Sequence, residues 1–293
     1  MDVAAQLLVN TLQIGAIYVL FALGLTMIFG VMRIVNFAHG EFFSLAALLT
    51  SVATLWFSSL GLPTWASYLI AFAMAVTAVL ALSYITYQLA FKAFLGDMLG
   101  GFIVSLGLVM LLQGILFEIF GGAPRVVPNI VEGNLIFFGG TITRQKLIIC
   151  ILALLITVGL YQFLQRSRLG LALRAMAEDQ EAALLQGINY RKIALYGFLI
   201  GSGLAAIAGC LIAPLTSIVP TMGGGYLMRA FMIVIIGGLG SIPGAIIGSF
   251  FIASIESIGG YFFDLSTATV TMFGLIAVLL LVRPQGLLGH VTK

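Results

Sequence analysis

Asn36, His39 and Glu41 fall within six residues of one another, in the run Arg33-Ile-Val-Asn-Phe-Ala-His-Gly-Glu-Phe-Phe. Such side chains can pass a proton, hold an ion or hydrogen-bond a polar solute. Catalysis asks for more, either a nucleophile beside a base or ligands at metal spacing. Neither accompanies them, so no catalytic residue and no metal site is expected. Two readings stay open. In one, Asn36 caps a helix and Glu41 sits near its positive end. In the other, the three groups line or brace a translocation pathway, because polar groups beside apolar runs usually line a cavity or pair with each other.

A second stretch, Gly237-Gly-Leu-Gly-Ser-Ile-Pro-Gly-Ala-Ile-Ile-Gly-Ser, has Gly240, Gly244 and Gly248 four residues apart. They share one helix face and permit close helix contact. Pro243 breaks or bends the segment, and a discontinuous helix beside a substrate path fits equally well. On that reading Gly238, Gly240 and Ser241 belong to the pathway.

The third informative stretch is 166–192, the one long polar segment with good helix formers. Propensity predicts a short helix over 171–186. Gly187 suits the left-handed position after its end, and Asn189 suits the cap of the next helix. Ala175, Ala182, Ala183 and Leu185 need more cover than so short a loop supplies. The segment is either a docking element for a soluble partner or an amphipathic helix lying on a membrane surface. Cys150 and Cys210 sit inside apolar runs and read as small buried hydrophobes.

The elements that hold these groups are membrane helices. Of 293 residues, 61% are hydrophobic and 8% are charged, against about 25% charged in soluble domains. So few charges cannot cover a water-facing surface, and lipid is the natural surrounding. The net charge of +3 is too small to argue for nucleic acid. The first basic residue is Arg33, so the charged start of a cleavable signal peptide is missing. A span needs roughly 20 apolar residues. Charge-free runs give one span in 3–32, two in 42–91 split at Ser58–Pro63, and others in 98–117, 147–165, 193–228 and 265–282. The run 230–255 is interrupted by the glycine stretch. The expected fold is an all-α integral membrane protein, a polytopic bundle of eight or nine helices in one domain over 1–293. The count turns on whether 226–242 crosses fully or only dips in. A β-barrel would show short alternating segments instead.

Lys and Arg favour the cytoplasmic side. With 166–192 inside and nine spans, Arg33, Lys92, Arg283 and Lys293 also fall inside, while Arg125, Arg144, Lys146 and Arg229 fall outside. That predicts an external N-terminus and a cytoplasmic C-terminus. Glu41, Glu118, Arg229 and Glu256 all read as lying near span ends. No Gly-x-x-x-x-Gly-Lys-[Ser/Thr] loop occurs, so any ATP-driven function borrows its motor from another chain.

Asn36-Phe-Ala-His-Gly-Glu41, Arg174-Ala-Met-Ala with Gly187-Ile-Asn, Gly237-Gly-Leu-Gly-Ser-Ile-Pro-Gly-Ala and Arg283-Pro-Gln-Gly-Leu-Leu-Gly occur together and in order. With them the chain resembles, from about residue 5 to 290, the permease subunits of branched-chain amino acid ABC importers, closest to the LivH type. Each motif is weak singly, but the ordered set is specific. The resemblance implies the ABC importer permease fold and a multi-pass protein of the bacterial inner membrane. It implies a second related permease, two cytoplasmic ATPase subunits that use ATP and Mg, and a periplasmic substrate-binding protein, with no cofactor on this chain. It makes 166–192 the coupling segment, with Arg174, Glu178, Glu181, Ala182, Ala183 and Gly187 as its contact residues. The resemblance implies a pathway for branched-chain or similar small hydrophobic amino acids; relatives also look like importers of urea, short amides or aromatic carboxylates, which stay open as alternatives. A different class, the ion-coupled secondary transporter, would need ionisable groups at mid-depth. An intramembrane enzyme lacks a catalytic set.

Overall fold

The computed structural model describes residues 3–137, 139–263, 265–283 and 286. Of the Arg283–Gly289 motif only Arg283 and Gly286 are therefore described, and Lys293 lies outside. The described helices are α1 (Val3–Met32), α2 (His39–Ser59), α3 (Thr64–Leu89), α4 (Met98–Phe120), α5 (Arg144–Arg166), α6 (Arg168–Glu178), α7 (Gln180–Leu185), α8 (Tyr190–Ile212), α9 (Met222–Gly237), α10 (Ile242–Phe262) and α11 (Leu265–Val282). Seven of them are long and apolar enough to cross a membrane: α1 to α5, α8 and α10. Two further apolar helices, α9 and the Thr269–Leu279 stretch of α11, are shorter. The bundle is thus the polytopic helical one that the composition demands. It carries one addition that the sequence reading lacked, an antiparallel hairpin of β1 (Asn134–Phe137) and β2 (Gly140–Thr143).

α1 is the hub. It packs most extensively against α10 and α8, and also against α5, α6 and α9. Every residue from Gly15 to Ile28 is buried. A helix apolar on all sides can only be satisfied that way. Close approach comes from paired glycines. A Cβ on Gly24 of α1 would strike the Gly201 carbonyl of α8, and a Cβ on Gly201 would strike the Gly24 carbonyl. Gly237 of α9 and Gly244 of α10 make the same reciprocal contact.

α3, α4 and α5 instead show large apolar side chains to the outside, Ile70, Met110 and Leu155 among them. Exposed Trp and Tyr side chains mark two levels. Trp56, Trp65 and Tyr261 lie toward the hairpin end, while Tyr84, Tyr161 and Tyr196 lie toward the α6 end. Trp65 and Tyr84 both belong to α3. Their spacing of 19 residues spans about 28 Å at 1.5 Å per residue. That matches a hydrocarbon core of about 30 Å bounded by aromatic belts.

Two helices begin inside the bundle. After α1 the chain runs non-helically through 33–38, with Ile34, Asn36 and Ala38 buried. At His39 the new helix already reaches the Phe21 carbonyl of α1. After α8 the chain returns through 213–221 and starts α9 against that same first turn of α2. Gly40 and Gly223 touch backbone to backbone, and the Gly223 N–H donates to Ser44 Oγ at 2.8 Å. Non-helical backbone at this depth is tolerated because protein surrounds it. α9, with 16 residues, covers only about 24 Å.

The α2–α9 contact is testable with an internal control. Gly223→Ala pushes a methyl into the Gly40 carbonyl, whereas a Cβ on neighbouring Gly224 meets nothing within 4 Å. Overpacking of this kind costs about 1–3 kcal/mol. Melting in detergent should fall for Gly223→Ala and not for Gly224→Ala. Equal melting of the two would refute the close approach.

Candidate transport pathway and docking surface

The three polar residues of 36–41 do not form one cluster. Asn36 is not the N-cap of α2. That position is Ala38, which makes no side-chain cap bond. Asn36 Oδ1 instead accepts from the Ala38 N–H at 3.0 Å and holds the non-helical link in shape, while its Nδ2 lacks a partner. His39 points to α1. Its Nε2 lies 3.2 Å from the Phe21 carbonyl and its ring stacks at 4.7 Å from the Phe21 ring. A carbonyl only accepts, so Nε2 carries a proton, and Nδ1 is left unpartnered. Gly40 faces α9. Glu41 sits in the first turn of α2, as expected, but faces a cleft between α3 and α4. Residues two apart on a helix point to nearly opposite sides, which is why His39 and Glu41 part company. Arg33, with φ of 56°, turns the chain at the end of α1. Its Nη2 donates to the Ala177 carbonyl in the last turn of α6.

Gly238, Gly240 and Ser241 form the turn between α9 and α10 at the α6 end of the bundle. Gly238 and Gly240 have φ of 99° and 82°, a region open to glycine and strained for other residues. Ser241 caps α10 by accepting from the Gly244 N–H, and Pro243 starts the helix where its missing N–H costs nothing. The interruption read from 230–255 therefore separates two helices. Gly244 packs against Gly237 and Gly248 against the Ile233 carbonyl of α9, so close contact explains these two glycines, while Gly240 lies in the turn and not on the helix face that the spacing predicts.

Arg229 and Glu256, which read as lying near span ends, sit within two helices. Arg229 is the eighth residue of the 16 in α9. Its Nη2 and Nε donate to Glu256 Oε1 and Oε2 of α10 at 3.0 and 3.1 Å. Tyr18, midway along α1, donates its hydroxyl to the same Oε2 at 2.5 Å. Arg229 Nη1 reaches the Gly225 carbonyl. The side chains are only 19% and 11% exposed. One bidentate pair thus ties α1, α9 and α10 together. The available signal was an Arg and a Glu inside two neighbouring apolar runs, each needing a partner.

The helix expected over 171–186 is two helices. It breaks at Asp179 into α6 and α7, and Asp179 caps the second by accepting from the Ala182 N–H. Gly187 adopts φ of 81° and Asn189 caps α8 by accepting from the Lys192 N–H, both as expected. α6 buries Leu173 and Met176 against the bundle. Arg174 Nε donates to the Leu164 carbonyl at the end of α5. Ala183 also turns inward and is 4% exposed. Glu178, Glu181, Ala182 and Gly187 face outward, together with Leu171, Leu184 and Leu185. Cys150 and Cys210 are buried and unbridged. At the opposite end a cavity of about 260 Å³ has Glu132, Lys146 and Leu215 in its wall; no motif drew attention to it.

A family described as "Branched-chain amino acid transport system / permease component" matches residues 7–283. The chain is 33% identical to the high-affinity branched-chain amino acid transport system permease protein BraD of Pseudomonas aeruginosa, over 97% of this chain and 95% of that protein. It is 30% identical to the permease protein LivH of Escherichia coli, with the same coverage. Among solved structures it is similar to PsaBC from Streptococcus pneumoniae, with 17% identity, a TM-score of 0.45 and coverage of 95% of this chain and 92% of that chain.

Proposed function

Because the chain belongs to the permease components of branched-chain amino acid transport systems, we propose that it forms part of the membrane pathway of an ATP-driven importer in the bacterial inner membrane. A second, related permease completes the pathway. Two ATPase subunits hydrolyse ATP with Mg on the cytoplasmic side, and a periplasmic binding protein delivers a branched-chain amino acid. The observation that carries the reading is the match of one permease family over nearly the whole chain. The geometry supports it: two helices start inside the bundle, where their ends can shape a path, and α6 and α7 stand clear of the apolar belt.

On this reading Asn36, His39 and Glu41 brace or line the pathway around the α2 start. The turn at Gly238, Gly240 and Ser241 adjoins Gly30 of α1, which in turn faces Ala177 of α6. It can therefore relay movement from the coupling segment into α9 and α10. Arg174 fixes α6 to α5, while Glu178, Glu181 and Ala182 offer the docking face.

The test is uptake by the assembled importer in proteoliposomes. L-leucine should enter only with ATP and the binding protein present, and the ATPase subunits should co-purify with the chain. Uptake driven by a proton or sodium gradient without ATP would make the chain a secondary transporter instead.

Orientation follows the basic residues, with the α6–α7 end cytoplasmic. Gln186 and Asn134 are exposed at opposite ends. A cysteine at Asn134 should react with a membrane-impermeant maleimide in intact cells, and one at Gln186 should react only after lysis. The reverse pattern inverts the topology.

A further inference from the structure

The cleft that Glu41 faces has the chemistry of a ligand site. Glu41 is 3% exposed, and its Oε2 has no hydrogen-bond partner. The rest of the wall is hydrocarbon from three helices: Leu45 of α2, Leu82 of α3, and Leu112, Leu116 and Ile119 of α4, with Phe120 at one end. The one ion pair among the described residues, Arg229–Glu256, lies elsewhere. A carboxylate held in hydrocarbon without a donor is costly. It calls for a positive partner, and the wall supplies none.

We propose that this cleft binds an aliphatic ammonium compound, with Glu41 receiving the ammonium and the Leu/Ile wall receiving the alkyl chain. Resting on the function proposed above, the compound is the branched-chain amino acid in transit.

Size and charge both select. The cavity measures about 110 Å³. An enclosed cavity of about 150 Å³ lined by similar residues takes benzene, so the alkyl part that fits between these walls is small. The Glu41 carboxylate repels an aromatic carboxylate that lacks an ammonium, and it gains no charge from urea or a short amide. Discrimination by an unfavourable contact is as effective as an added favourable one. The cleft is open on one side, which leaves room for the third substituent of an α-amino acid, its carboxylate.

Protection from alkylation tests this in the assembled importer. Ile115 also lines the cleft, and Ile115→Cys is treated with N-ethylmaleimide; the unsubstituted chain, with its two buried cysteines, gives the background. L-leucine and 3-methylbutylamine should slow labelling about fivefold at four times their dissociation constants. 4-Methylpentanoate, which keeps the alkyl chain and lacks the ammonium, should not. Adding Glu41→Gln should remove the protection. Equal protection by all three compounds would mean apolar filling, as a lipid chain would give, and would overturn the proposal. No protection by any of them also overturns it. The comparison of the three compounds needs no change at Glu41, so a misfolded Gln variant leaves the test intact. Protection by the amine without ATP-driven leucine uptake would reject the transport function and keep the site. Uptake without protection would do the opposite.

Discussion

Leu185→Asp is expected to cut leucine import by more than an order of magnitude while the permease still inserts and folds. Leu185 closes α7 and is 87% exposed. Leu184 beside it and Leu171 on α6 are exposed as well, so an apolar edge stands without a partner among the described residues. Behind it the route inward is stiff: α6 rests on α1, α5 and α8, and Asn189 caps α8 directly after Gly187. A movement imposed on α7 therefore reaches the hub helix. An aspartate in the centre of such a contact costs about 2 kcal/mol or more, roughly a 30-fold loss of affinity. Co-purification of the ATPase subunits and ATP-dependent uptake are the measurements. Ala183, which the sequence singled out for this role, serves as the contrast. It is packed inside its own chain, so Ala183→Arg should lower the permease's own melting and yield. If Leu185→Asp keeps the ATPases and imports normally, α7 lies on the membrane surface with its leucines among the headgroups.

What the sequence could show and what it could not follow from different physics. Charge-free length reports that a segment crosses a membrane, so α1, α3, α4 and α5 were legible. Local side-chain-to-backbone bonds are also legible, which is why Gly187 and Asn189 were found. Asp179 carried the same kind of signal, but good helix formers on both sides masked it. Hydropathy says nothing of depth, so the starts of α2 and α9 inside the bundle were hidden. The facing of His39 toward α1, Gly40 toward α9 and Glu41 toward the cleft between α3 and α4 was hidden for the same reason. The hairpin at 134–143 was missed because its alternating Leu, Ile and Thr are few and lie between helices that dominate the composition. That Ala183 faces the bundle was hidden as well, because a helix with apolar residues on two sides does not reveal which side its own bundle covers. The family resemblance, by contrast, needs only order and spacing, and the match over residues 7–283 agrees with it.

Arg229 and Glu256 show most sharply what pairing in three dimensions adds. Read along the chain they are two isolated charges; in the fold each carboxylate oxygen meets a guanidinium nitrogen and Tyr18 adds a third donor. Removing one partner leaves the other charge buried without compensation, at about 3–5 kcal/mol. Arg229→Met and Glu256→Met should each lower detergent melting and membrane yield strongly. Tyr18→Phe, which removes one donor, should cost less, about 1–2 kcal/mol. The double variant should recover most of the loss, because a buried pair replaced by packed apolar groups is often neutral. Import separates a clamp from a working part. Both charges are satisfied by protein groups, which leaves neither free to carry a coupling ion. A stable double variant that still imports leucine with ATP shows that the pair only holds α1, α9 and α10 together. A stable double variant that binds its ATPases and imports nothing shows that the pair acts in transport itself. Should Arg229→Met melt like the unsubstituted chain, Glu256 has another partner and the clamp is not there.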